Sequence, residues 1–250
     1  MGTFPYTLEE PKGPILGLVA LQADETVESD FRRLLPPDIR LHVTRVESDP
    51  TVTPETLAAM EARLPAAAGL LPRGLRFDAV GYGCTSASAE IGSRRVAAAI
   101  ARGVETGAVT EPLNALAAAA AALGIRRLAF LSPYIEPVSA RLRCALSERG
   151  IETPVFGSFE EAEEARVARI DTPSLIAAGR ALMAEGGAEG LFLSCTNLRT
   201  LDAIAPLEDA TGLPVLSSNL VLAWHMARLA GIETRITGAG RLLIQTRQSA

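Results

Sequence analysis

Apolar residues recur along this chain in two alternating rhythms. Short runs of strand length occur at Ile15–Leu21, Ile39–Val46, Phe77–Tyr82, Leu128–Leu131, Gly190–Leu193 and Pro214–Leu216, with a shorter candidate near Ile151–Phe156. Between them lie alanine-rich stretches whose apolar positions repeat with helical spacing: Thr53–Leu64, Ala89–Ala101, Leu113–Leu123, Ser139–Arg149, Pro173–Ala184 and Leu220–Ala230. Thr53 and Thr172 each precede a proline, so each reads as an N-cap before a residue preset for the first helical position. Gly124, Gly150, Gly212 and Gly231 each close a helical run, where a left-handed residue is wanted. Strands alternating with helices build βαβ units on a parallel sheet, so the expected fold class is α/β.

The segment around Cys84 has an echo around Cys195. Asp78-Ala79-Val80-Gly81-Tyr82-Gly83-Cys84-Thr85-Ser86 resembles Glu189-Gly190-Leu191-Phe192-Leu193-Ser194-Cys195-Thr196-Asn197, 111 positions later. The same offset carries Gly17-Leu18-Val19-Ala20 onto Leu128-Ala129-Phe130-Leu131, another strand. A period this long exceeds any solenoid unit and reads as a duplicated domain. The expected division is a first α/β domain of residues 1–112 plus 218–250 carrying Cys84, and a second of residues 113–217 carrying Cys195.

Composition narrows the function classes. With 250 residues, 48% of them apolar, and a net charge of −5, the chain collapses around a core rather than staying disordered. Its 24 basic against 29 acidic residues leave no excess to neutralise a phosphate backbone, so nucleic acid is not an expected partner. No stretch of about 18 apolar residues occurs, and the N-terminus lacks a basic segment before an apolar one; the expectation is a soluble cytoplasmic protein without membrane contact. Cys84, Cys144 and Cys195 form no CxxC pair, and with only His42 and His225 beside them no metal site is expected.

Each of the two matched cysteines sits where an apolar strand ends and a helix is about to begin. Ligands of open parallel sheets bind outside the carboxyl ends of the strands. A thiol there faces a helix N-terminus, which favours thiolate, so at least one of the pair is expected to alkylate faster than Cys144. Gly81 and Gly83 are expected to let a ligand approach the backbone, and the hydroxyls of Thr85, Ser86 and Thr196 to offer donors to a carboxylate. Cys144, in an amphipathic helix, reads as a packed residue.

These residues resemble the Asp/Glu racemase superfamily in its maleate cis–trans isomerase and arylmalonate decarboxylase branch. The likeness is most specific at Gly83-Cys84-Thr85-Ser86, Ser132-Pro133-Tyr134, Ser194-Cys195-Thr196-Asn197 and Leu216-Ser217-Ser218-Asn219. It implies two pseudo-symmetric α/β domains with a small carboxylate at their interface, no metal and no organic cofactor. It also implies Cys84 as nucleophile or base, Cys195 as acid or base, and substrate contacts from Tyr134 and Asn219. A homodimer or higher homo-oligomer is expected. Arylmalonate decarboxylases of this branch keep only the second cysteine, whereas this chain has both.

One position departs from the resemblance. Asp24 stands where maleate isomerases place an asparagine that contacts substrate. An aspartate there repels a dicarboxylate and suits an ammonium group, or else it caps the helix after the first strand. The leading expectation is a maleate isomerase-like enzyme. The alternatives are an amino-acid racemase or epimerase, with likeness to a subgroup linked to ectoine degradation, and a non-catalytic carboxylate-binding protein. Arg94 and Arg95 read as surface residues, His225 as packed, and the run Glu160-Glu161-Ala162-Glu163-Glu164 as a solvated helix or mobile loop.

Overall fold

Both copies of the repeat fold the same way. In the computed structural model, which describes residues 2–9, 12–233 and 240–245, two four-stranded parallel sheets have matching strand orders. The first comprises β1 (Ile15–Leu21), β2 (Arg40–Val46), β3 (Ala79–Gly83) and β4 (Val109–Thr110), in the order β2-β1-β3-β4. The second comprises β5 (Arg127–Tyr134), β6 (Glu152–Glu161), β7 (Gly190–Leu193) and β8 (Val215–Ser217), in the order β6-β5-β7-β8. The central strands β1, β3 and β7 are buried along their whole length, as continuous apolar runs of parallel sheets require.

Helices flank both sheets. Those of the first half are α1 (Val27–Leu34), α2 (Pro54–Ala59), α3 (Leu64–Ala68), α4 (Thr85–Ile91) and α5 (Ser93–Ala101). After them come α6 (Pro112–Leu123), α7 (Glu136–Ser147), α8 (Glu164–Val167), α9 (Thr172–Ala184), α10 (Leu201–Thr211), α11 (Ser218–Leu229) and α12 (Arg241–Gln245). Following β8 the chain returns to the first sheet, where α11 packs on α1, β3 and α6. Gly81 permits that return: a Cβ there would lie 2.3 Å from the Met226 sulfur. This glycine therefore admits a helix, not a ligand, which corrects the expectation drawn from the sequence.

The capping signals are largely realised. Thr53 caps α2 through the Thr56 N–H, and Gly124, Gly150, Gly212 and Gly231 all have φ between 67° and 75°. The second proline-led helix starts one residue earlier than expected, because the Asp171 carboxylate takes the Ser174 N–H and makes Thr172 the first helical residue. Two long helical runs are broken. Gly92, with φ 90°, separates α4 from α5, and a 3₁₀ turn over Met60–Arg63 leads into α3, where Pro65 cannot continue the earlier hydrogen-bond ladder. Among the described residues no helix is long and apolar enough to cross a membrane.

Candidate active site

The two matched cysteines occupy equivalent strand ends in different backbone conformations. Cys84 follows β3 and is the N-cap of α4, with φ −150° and ψ 112°; its Sγ accepts the Ala87 N–H at 3.4 Å. Cys195 lies two residues beyond β7 with φ 109°, a region that favours glycine and costs other residues about 1–3 kcal/mol. Such strain persists only where the surroundings hold it. Here the Cys195 N–H donates to Ser218 Oγ at 3.0 Å, while Sγ accepts the Asn197 N–H at 3.3 Å and lies 2.9 Å from the Tyr134 hydroxyl.

A buried lattice of hydroxyls ties the two cysteine loops together. Ser218 Oγ, at the start of α11, also accepts from Thr85 Oγ1 at 2.8 Å. Thr196 Oγ1 donates to the Gly83 carbonyl at 3.1 Å, and Asn219 Nδ2 donates to the Thr196 carbonyl and to Asp30 Oδ2, both at 2.8 Å. Thr85, Thr196 and Asn219 thus direct their donors into the protein and hold the loops. Ser86 Oγ is buried with no hydrogen-bond partner.

Two carboxylates complete the site. Asp24 Oδ1 accepts the N–H groups of Thr26 and Val27 at 2.7 and 2.8 Å, so Asp24 does cap the entry to α1, while its Oδ2 accepts no hydrogen bond. The same side chain faces the cysteines closely enough for its charge to act on both. Glu164 is the second carboxylate, and the sequence reading missed it. The acidic run is neither a solvated helix nor a mobile loop as a whole. β6 continues to Glu161, Thr51 bridges Glu163, the Glu164 N–H donates to the Pro50 carbonyl, and Glu164 opens α8 as a buried residue. Its Oε1 accepts from the Tyr134 hydroxyl and its Oε2 from Asn197 Nδ2, each at 2.8 Å. Burial raises the pKa of Asp24 and of Glu164, against the hydrogen bonds each accepts.

The thiols carry the opposite shift from the one expected. Burial pushes Cys84 up to about 12, with Glu164 and Asp24 adding to the push against the Ala87 N–H and the Tyr82 hydroxyl. Cys195 is raised well above its ordinary value, again by burial first and then by Glu164. Desolvation and two nearby carboxylates outweigh the helix N-terminus. Cys144, by contrast, is exposed on α7. Iodoacetamide at neutral pH is therefore expected to modify Cys144 first in the ligand-free protein. Peptide mass spectrometry finding Cys84 or Cys195 modified first would contradict this.

Residues 95–243 match the sequence pattern of the arylmalonate decarboxylase family. The chain belongs to that family. Across it, this member is 29% identical over 243 residues to a maleate isomerase of Nocardia farcinica, covering 92% of this chain and 95% of that one. It is 38% identical over 123 residues to an arylmalonate decarboxylase of Bordetella bronchiseptica, an alignment that spans about half of each, 48% and 51%. Among solved structures, a serine variant of the Nocardia farcinica maleate cis–trans isomerase with a covalently bound succinylcysteine intermediate superposes with a TM-score of 0.85. It is 27% identical, over 94% of this chain and 99% of that one. The fold is thus the two-domain α/β fold of that branch.

In this arylmalonate decarboxylase-family chain, Cys84, Cys195, Tyr134, Asp24, Thr85, Thr196 and Asn219 are brought together at the strand ends, and Ser86 is buried next to Thr85. Asn197 and Ser218, which the sequence motifs contain without a role of their own, join them, as does Asp30, which no motif contains. Arg94 and Arg95 lie on the surface, Arg95 paired with Glu61, and His225 Nδ1 is 2.8 Å from Thr110 Oγ1. Among the described residues no group of three or more His, Cys, Asp or Glu is arranged to hold a metal ion.

Proposed function

We propose that the protein is a cofactor-independent isomerase that acts on a small carboxylic acid held between Cys84 and Cys195. The observation that carries this reading is the lacing of the two thiol-bearing loops, from equivalent strand ends of the two halves, through Ser218 and Thr196. On the division of residues 1–112 plus 218–250 against 113–217, each domain contributes one thiol to the cleft. One thiolate removes a proton from the carbon beside the substrate carboxylate, and the opposed thiol delivers a proton to the other face. For an unsaturated acid, the thiolate adds to one carbon while the thiol protonates the other; rotation about the resulting single bond and reversal of both steps give the opposite geometry.

The neighbouring groups supply a route for making the thiolate. The Tyr134 hydroxyl donates to Glu164 Oε1, so the Cys195 S–H is left to donate to the tyrosine oxygen. Glu164 is the carboxylate in the resting site, and passing one proton along both bonds during turnover converts thiol and carboxylate into thiolate and carboxylic acid, with no change in net charge. A carboxyl whose pKa is raised by burial is a fit acceptor. At Cys84 the α4 N-terminus and the Ala87 N–H favour the thiolate, against burial and the two carboxylates.

The test is incubation in D₂O with a panel of small acids, both unsaturated diacids and α-substituted acids, followed by NMR. Deuterium at a stereocentre or cis–trans interconversion is the expected result. A panel that returns with neither would defeat the reading.

A further inference from the structure

We infer that Asp24 and Glu164 together form a binding site for an ammonium group, so that the substrate of this cleft is a small amino acid rather than an acid without nitrogen. This rests on the isomerase reading and names its substrate class. The two carboxylates come from opposite halves of the repeat, Asp24 from the loop after β1 and Glu164 from the segment after β6. They are 3% and 4% exposed. The Asn197 side chain ties their segments together: its Nδ2 donates to Glu164 Oε2 at 2.8 Å and to the Ala23 carbonyl at 3.4 Å, while its Oδ1 accepts the Glu25 N–H at 2.8 Å.

Neither carboxylate is paired with a cation among the described residues, although the charge of Arg45 acts on Asp24 against its burial. Among the described residues no salt bridge reaches either one. Arg45 pairs with Glu28 and donates to the carbonyls of Leu21 and Asp24, and Arg169 pairs with Glu25. A buried carboxylate without a directly paired cation is destabilising, and two of them raise each other's cost. Such a pair is sustained when a ligand brings the positive charge. An ammonium group has three donors and no acceptor. Asp24 Oδ2, which accepts no hydrogen bond, and the remaining lone pairs of Glu164 suit it. Two protonated acids would instead donate to a ligand carboxylate and prefer an acid lacking nitrogen, so the two cases part experimentally.

Matched ligands that differ only in the α-ammonium group separate them: aspartate against succinate, and alanine against propionate. Binding is followed by calorimetry on the full chain, on Glu164→Gln and on Asp24→Asn, with circular dichroism on each variant. The amino member of each pair is expected to bind at least about tenfold more tightly to the natural protein, since a carboxylate–ammonium contact is worth more than that even with partial screening. Each substitution is expected to lower the preference about tenfold. Should Glu164→Gln fail to fold, Asp24→Asn carries the test, because asparagine retains the oxygen that caps α1. Equal or tighter binding of succinate and propionate, a preference unmoved by the substitutions, or binding of none of the four probes would overturn the inference. Ammonium-selective binding without isotope exchange in D₂O would instead count against the isomerase reading alone.

Discussion

Cys84→Ser and Cys195→Ser are each expected to lower turnover by several orders of magnitude, and Cys144→Ser to leave it nearly unchanged. General acid–base and nucleophilic contributions are each worth about 100-fold or more, and a serine hydroxyl at these strand ends is a far weaker acid than the thiol it replaces. The geometry makes both positions demanding. Cys84 caps α4 with its sulfur, and Cys195 holds a left-handed conformation stabilised by Ser218. Serine preserves these backbone roles, so folded variants are expected and the loss falls on chemistry. Cys144 donates to Glu148 Oε1 from an exposed helix face. Full activity in either strand-end variant, measured as kcat with the best substrate of the panel, would defeat the paired mechanism.

Stability is expected to fall as the pH rises through the weakly acidic range, with Asp30 contributing to the effect. Burial raises the Asp30 carboxyl from 3.8 to about 6, against the hydrogen bond from Asn219 and the charge of Arg33, with Asp24 pushing the same way as burial. A folded-state pKa above the unfolded one means that the native protein keeps a proton that the unfolded chain releases. The stabilisation is complete below pH 3.8 and is lost as the pH passes through about 6. A shift of this size corresponds to about 3 kcal/mol. Asp24 and Glu164, both raised, act in the same direction. Asp30→Asn retains an acceptor for Asn219 Nδ2 and should flatten the profile. Urea unfolding of both proteins between pH 4 and 8 measures this; parallel profiles would rule out Asp30 as the source.

The elements that were legible in the sequence are those whose signal is local. β1 and β7 have the bounds of their apolar runs, Ile15–Leu21 and Gly190–Leu193, because a strand covered on both faces admits no polar interruption. The cysteine echo was legible for the same reason: the repeat preserves the strand, the turn and the thiol. Two-residue β4 was too short to leave a pattern, and the breaks at Gly92 and at the 3₁₀ turn over Met60–Arg63 lay inside continuous alanine-rich runs.

What escaped was set by distant contacts. Glu164 looks like any member of its acidic run until the extension of β6, the Thr51 bridge and Pro50 carry it into the cleft beside Tyr134 and Asn197. The thiol shifts reversed for a related reason. A helix N-terminus can be read from neighbouring residues, whereas desolvation and the fields of Asp24 and Glu164 exist only once both halves have assembled. Asp24 had been weighed as either a cap or a pocket residue. Its two oxygens divide those roles, one on the α1 N–H groups and one without a partner.

The turnover of the double variant Cys84→Ser/Cys195→Ser, set beside the two single variants, bears most directly on whether the thiols work as a pair. Groups that act together on one substrate are strongly non-additive, since removing either already disables the unit. The double variant is therefore expected to be no slower than the worse single variant. Losses that multiply, so that the double variant falls by the product of the two single effects, would show independent thiols and contradict the paired site.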